Sequence, residues 1–352
     1  MTSKITPQDE DYNSMWPEQP SAQKILVFST GGTIAMRPSS SGGIEPTEKA
    51  KNNEQWEKVL TTLPPGIEIE EIVWANLPSP HITLTHMLDL SNAIDQALLD
   101  DEVLGAVVLH GTDLLPETAF ILEMTLKSTK PVVITGSMRH INEIGYDGLR
   151  NLTNALRICL EIPMASELVA TMGDEIYAAQ DIYKQNSIAA NSMFSDTGIL
   201  GRATEQEIIF YQYPSVAFYY HFDAKKMLSS TLPEVALLAA YPGMDGSLVD
   251  LVLDKGVKGL VIEAFGAGNV PPKLAQSLKK ILANGIPVII CTRCPQGGAH
   301  AIYSYEGGGR DLENHGTILS ADLCATKAQL YLQIALGHNH THWQLQEFFT
   351  NK

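Results

Sequence analysis

The sequence predicts an α/β protein of two domains, each built on a mainly parallel sheet flanked by helices. Short β-branched runs bounded by turn residues alternate with longer stretches of helical spacing. A second alternating set begins after residue 233, and a chain of 352 residues is longer than one compact core commonly fills.

The first strand is ILVF at 25–28, four successive apolar residues that suit a strand covered on both faces. It runs straight into STGGTIAM at 29–36, where the glycine pair lets the backbone turn sharply and approach a ligand closely. That turn presents Thr30 and Thr33, and a hydroxyl there can be a nucleophile, a clamp or a helix cap. Residues 84–99 carry Leu90, Ile94, Ala97 and Leu98 at helical spacing. Strands follow at 105–110 (GAVVLH) and 131–136 (PVVITG), then a helix over 148–160. The later set has strands at 234–241, 259–266 and 286–292, with a helix over 271–284. Residues 214–232 show no period and read as a linker. The expected division is a loose polar tail at 1–23, a first domain at 24–213, the linker, and a second domain at 233–352.

Ligands of open parallel sheets bind outside the carboxyl ends of the strands. STGGTIAM, LHGTDLLPETAF (109–120) and TGSMRHINEIGYDGLRNL (135–152) all fall at such ends. Singly, each has an ordinary account: Thr112 or Asp113 as the cap of a helix opened by Pro116, and Asp147 as the cap of the helix at 148. Together at one edge they point to a site. The glycines match neither G-x-G-x-x-G nor a P-loop, so dinucleotide and nucleotide binding are not indicated.

Composition narrows the partners. The 24 Lys and Arg against 40 Asp and Glu leave a net charge of −16 with no basic run, which excludes nucleic acid and anionic membrane as natural partners. No apolar run approaches the roughly 20 residues that span a bilayer, and the N-terminal stretch lacks an apolar core, so a cytoplasmic protein is expected. Cys291 and Cys294 form a C-x-x-C without a second pair, and with Cys159 and Cys324 they read as reduced core thiols. His338, His340 and His342 follow a helix that Gly337 would close, and read as a solvated loop. Neither the cysteines nor the histidines are expected to hold a metal.

TGGTIAM and LHGTDLLPETA, with KPVVITGSMR, DGLRNLTNAL and QDIYKQNS (180–187) in order behind them, resemble the bacterial-type L-asparaginases of the asparaginase and glutaminase family. The likeness runs over roughly residues 24–336. It implies an amidohydrolase with a larger N-terminal and a smaller C-terminal α/β domain, active as a homodimer or a dimer of dimers without metal or cofactor, and closer to the cytoplasmic members. Position by position, it implies Thr33 as the nucleophile and Thr112, Asp113 and Lys184 as the relay. Gly32, Ser79, Pro80, Gly111 and Ser137 would line the substrate, and Asn269 would reach its amino group from the partner subunit. His110 is read as packing beneath the turn.

The implied chemistry is coherent. A stable amide needs a nucleophile, a route for that nucleophile's proton, and donors for the oxyanion. A lysine takes up a proton only as the neutral amine, a form that burial favours and a neighbouring carboxylate opposes. Several positions depart from the family pattern. Ile44 stands where many relatives carry a lid tyrosine, beside a hinge-like SSSGG at 39–43. Leu114, Pro80, His81 and Ser304 replace polar groups of the substrate shell. Glutaminase activity, an ammonia-generating amidotransferase subunit, and a catalytically silent asparagine sensor are the alternatives these departures leave.

Overall fold

The structure is a computed structural model that describes residues 23–38, 44–46, 58–59, 61–162, 168–213 and 221–350. Residues 1–22 of the expected tail at 1–23, the hinge at 39–43 and residues 214–220 of the expected linker lie outside the described residues, while Gln23 already belongs to the first strand. Two α/β domains are present, as the sequence predicts.

The first domain opens with β1 (Gln23–Ser29), a short hairpin of β2 (Met36–Pro38) with β3 (Ile44–Pro46), and β4 (Ile67–Val73). Helix α1 (Leu84–Ala97), β5 (Val103–Leu109), α2 (Leu115–Thr125), β6 (Val132–Thr135) and α3 (Gly148–Glu161) follow. The domain continues through β7 (Val169–Met172), β8 (Glu175–Ala178), β9 (Ile182–Lys184), β10 (Met193–Ser195), β11 (Gly201–Ala203) and β12 (Ile208–Phe210). Its main sheet has the order β12-β11-β8-β7-β6-β5-β1-β4. Strands β4, β1, β5, β6 and β7 run parallel. The β8, β11 and β12 strands add an antiparallel edge that the sequence does not announce, because strands of three or four residues are too short to display a period.

The run at 25–28 is apolar throughout because both faces of the sheet are covered. Ile25 and Val27 enter one core with Val107, Val133 and the Leu152, Leu156 and Cys159 side chains of α3. Leu26 and Phe28 enter the opposite core with Val108, Ile134 and α1 residues Leu90 and Ile94. This is the period-two alternation of a strand with water on neither side.

The second domain holds β13 (Val235–Ala239), α5 (Ser247–Asp254), β14 (Gly259–Ala264), α6 (Pro272–Ala283), β15 (Val288–Thr292), α7 (Gly309–Asn314), β16 (Ile318–Leu319), α8 (Ala325–Gly337) and α9 (His342–Thr350). Its strands form one parallel sheet in sequence order. Helix α2 lies between the domains, which explains why it is buried all round. Ala119 and Leu122 face its own sheet, while Phe120, Ile121 and Met124 join Val261, Ile289, Tyr331 and Leu332 of the second domain.

Four readings need correction. The stretch read as a linker contains helix α4 (Ala224–Leu228), capped by Asp223, whose Oδ1 accepts from the Lys226 N–H at 2.9 Å, with Phe222 buried beside it. Helix α8 ends at Gly337, but the left-handed residue that closes it is Asn339, and His338 and His340 pack on the Phe222 ring rather than lying in solvent. Cys159 and Cys291 are core thiols, whereas Cys294 and Cys324 are exposed. Burial pushes the Cys159 thiol up to about 12 and keeps it inert. Asp147 makes no cap bond to α3. Its carboxylate instead accepts from the Met138 and Arg139 N–H groups at 3.1 and 3.0 Å.

Candidate active site

The loops that follow β1, β4, β5 and β6 meet at the carboxyl edge of the first sheet. Backbone hydrogen bonds join them: Thr30 N–H to Leu109 O at 3.0 Å, Leu77 N–H to Thr30 O at 2.9 Å, and His110 N–H to Thr135 O at 2.8 Å. The glycines of two motifs are required by this contact. A Cβ on Gly32 would lie 2.3 Å from the Gly111 Cα, and one on Gly111 would lie 2.7 Å from both Cβ and Oγ of Ser79. Gly32 also holds φ at +82°, which disfavours any side chain. The T-G-G-T turn, the H-G-T-D turn and Ser79 are thus in direct contact, each threonine being one residue beyond its touching glycine.

The two threonines of the first turn part company here. Thr30 is buried and donates its hydroxyl to Leu109 O at 3.1 Å, which commits its proton to the fold. Thr33 starts a single 3-10 turn, Thr33–Ala35, and its side chain is half-buried at the loop junction.

Lys184 arrives from the far end of the domain. It closes β9, pairs there with Met193 of β10, and keeps only 16% of its side chain exposed. Its Nζ donates to Thr112 Oγ1 at 2.9 Å and to Asp113 Oδ1 at 2.7 Å. Asp113 is 60% exposed, so water screens the ion pair to roughly 0–1 kcal/mol of stability. Thr112, the other partner of Nζ, is buried, with 5% of the residue exposed. Neither Thr112 nor Asp113 caps α2, whose cap position is Leu114 without a side-chain bond.

The other expected residues are placed as follows. Ser79 is buried at the start of the 3-10 turn Ser79–His81, next to the exposed Pro80. Ser137 is buried and donates to Arg139 O at 2.9 Å. Its turn is held by Asn151, whose Nδ2 donates to Gly136 O at 2.8 Å and to Asp147 Oδ2 at 3.1 Å. Asn151 falls inside DGLRNLTNAL, whose spacing does not announce this role, because the Gly136 carbonyl meets it only when α3 docks. Ile44 sits in the β2–β3 hairpin that follows Thr33. Asn269 is in the second domain, where its Oδ1 accepts from the Gly309 N–H at 3.2 Å. Among the described residues no hydrogen bond joins it to the four loops of its own chain.

His110 supports the junction as a neutral ring. Nδ1–H donates to the Gly111 carbonyl at 2.8 Å, which leaves Nε2 to accept from the Thr118 hydroxyl at 3.0 Å. Burial pushes its pKa from 6.5 down to about 4. The folded value is the lower one, so the unfolded chain binds more protons between these two values. The contribution is complete above pH 6.5 and is lost as the pH falls towards 4. Urea unfolding should therefore show this group costing roughly 2 to 3 kcal/mol between pH 7 and 4.5, since a tenfold change in proton affinity is worth about 1.4 kcal/mol. His110→Gln is expected to be less stable at neutral pH but to show a shallower acid slope, and an unchanged slope would refute the assignment.

Among the described residues no group of three His, Cys, Asp or Glu side chains is arranged to hold a metal ion, and no helix is long and apolar enough to cross a membrane.

Residues 24–216 match the family profile described as Asparaginase, N-terminal, and residues 234–349 match the Glutaminase/Asparaginase C-terminal domain. The L-asparaginase of Bacillus licheniformis is 31% identical over 324 residues, covering 90% of this chain and 96% of that protein. A probable L-asparaginase of Deinococcus radiodurans is 34% identical over 334 residues, 94% and 98% of the two chains. The crystal structure of a probable cytoplasmic L-asparaginase from Campylobacter jejuni superposes with a TM-score of 0.78 at 27% identity, covering 93% of this chain and 99% of that one. The ordered motifs, the two-domain architecture and these matches across both domains lead to one conclusion: the chain belongs to the asparaginase family.

Proposed function

We propose that the protein hydrolyses L-asparagine to L-aspartate and ammonia through an acyl-enzyme on Thr33. The observation that carries this reading is the Lys184 Nζ, shared between the Thr112 hydroxyl and the Asp113 carboxylate at the junction that also holds Thr33. In the reaction Thr33 Oγ attacks the side-chain amide carbon, and its proton moves through Thr112 to the neutral amine of Lys184. Backbone N–H groups of the glycine-bearing turns stabilise the oxyanion. The C–N bond then breaks, the returned proton leaves with the nitrogen as ammonia, and Thr33 is held as an ester. Water adds to that ester, releasing aspartate and restoring the hydroxyl.

Gly32, Ser79, Pro80, Gly111 and Ser137 would line the substrate in this scheme. The catalytic domain would span 24–213 and the second domain 233–352. Asn269 would complete the neighbouring subunit's pocket in a homodimer or dimer of dimers, a role that leaves it clear of the four loops of its own chain. No cofactor is required, and the cytoplasm is the proposed compartment. The description of the C-terminal family profile also favours a second substrate, L-glutamine. Ammonia release measured side by side from the two amides tests both readings. Release from asparagine at a catalytic rate is expected. Asparagine binding without release would replace the enzyme by a sensor.

A further inference from the structure

The first turn of α8 belongs to the second domain, yet it reaches the strand that carries Lys184. Lys327 is only 2% exposed. Its Nζ donates to the carbonyls of Gln180 at 2.7 Å and Ile182 at 2.6 Å, and lies 5.6 Å from the centroid of the Phe120 ring. One residue earlier, Thr326 Oγ1 donates to Glu117 Oε1 at 2.8 Å. Glu117 and Phe120 lie on α2, which begins two residues after Asp113. A single helical turn therefore touches both parts of the relay: β9, which ends in Lys184, and the helix directly behind Thr112 and Asp113.

Such an anchor meets a physical need. Strands β9 and β10 are three residues each and, among the described residues, pair only with one another, and a two-stranded hairpin that short is marginal alone. A buried ammonium is itself costly unless hydrogen bonds compensate it, so a methionine of similar length would serve packing against Phe120 better. What the ammonium adds is two directed bonds to the chain just before Lys184.

We propose that Lys327 is a positioning residue for the relay. Across the domain boundary it holds β9 against α2 at the spacing that lets Lys184 Nζ reach Thr112 and Asp113 together. The proposal rests on the amidohydrolase reading above. Lys327 touches no substrate; it acts through Lys184. The second domain then contributes to the chemistry of its own chain as well as to a neighbour's pocket.

The test is Lys327→Met, assayed for asparagine hydrolysis in the wild-type and Lys184→Ala backgrounds. A displacement of about 1 Å in a catalytic group costs on the order of 100-fold, so kcat is expected to fall 10- to 100-fold. KM should move less than about twofold, since the four substrate-facing loops are untouched. Lys327→Arg, which can still donate to both carbonyls, should recover part of kcat. In the Lys184→Ala background the methionine change should cost nothing further, because the group it positions is gone. An equal loss in both backgrounds would show a merely structural role, and a wild-type kcat in folded protein would overturn the proposal. If the methionine variant does not accumulate folded, Lys327→Gln, which keeps one donation, carries the same comparison. Full activity in Lys184→Ala would instead remove the relay reading. A strongly impaired Lys184→Ala beside a fully active Lys327→Met removes only the positioning role.

Discussion

Thr33→Ala is expected to lower asparagine turnover by several orders of magnitude while leaving the fold intact, since losing a catalytic nucleophile removes the covalent route altogether. The fold should survive because the Thr33 side chain is half-buried and belongs to a single 3-10 turn, while the junction beneath it is built from backbone contacts of Gly32 and Gly111. Melting temperature and circular dichroism should therefore match the wild type, as for most changes away from a core. Near wild-type turnover would transfer the role of nucleophile to Thr112, the other hydroxyl at the junction. The same inactive subunit gives a test of the shared pocket. Mixed with Asn269→Ala subunits, it forms dimers in which one site carries both lesions and the other carries neither, so activity should partly return. No recovery after confirmed subunit exchange would mean that each chain builds its site alone.

Lys184→Arg should be nearly as damaging as Lys184→Ala, within about tenfold of it. Arginine keeps the charge but does not give up its proton at working pH, and its planar fork cannot reproduce a compact ammonium. The geometry sharpens the expectation. Nζ is a single atom within 2.9 Å of Thr112 Oγ1 and 2.7 Å of Asp113 Oδ1, so a longer, flat group must give up one contact to keep the other. The fold should again tolerate the change, because the exposed Asp113 contributes little stability through the pair. Substantial activity in the arginine variant would mean that Lys184 supplies only positive charge, and proton transfer would need another acceptor.

The legible parts of this protein are those whose cause is local. The ILVF run announces a doubly covered strand because its composition records burial on both faces. The glycines at 31–32 and 111 announce a close approach because no other residue fits there. Thr112 and Asp113 stand out by following such a glycine. Other parts are legible only in outline. Helix α4 is five residues long and sits inside an aperiodic stretch. The antiparallel strands from β8 to β12 are too short to show alternation. Asp147 has the position of a helix cap relative to 148, yet its carboxylate finds better donors at Met138 and Arg139, brought near by the turn after β6.

From sequence alone came the fold class and the sheet edge that holds the candidate site, which depend on composition and spacing within a few residues, and, through the resemblance of whole motifs, the family and the candidate groups it implies. Only the tertiary structure decided which threonine of the first turn is spent on the fold, that Lys184 meets Thr112 and Asp113 across 72 and 71 positions, and that Lys327 anchors β9 from the other domain across 145. A lysine in DIYKQN looks like any solvated lysine, and one in CATKAQL looks like the polar side of a helix. Their meaning comes from the oxygens that face them after packing, and those oxygens sit on segments that the chain brings together only once both sheets have formed.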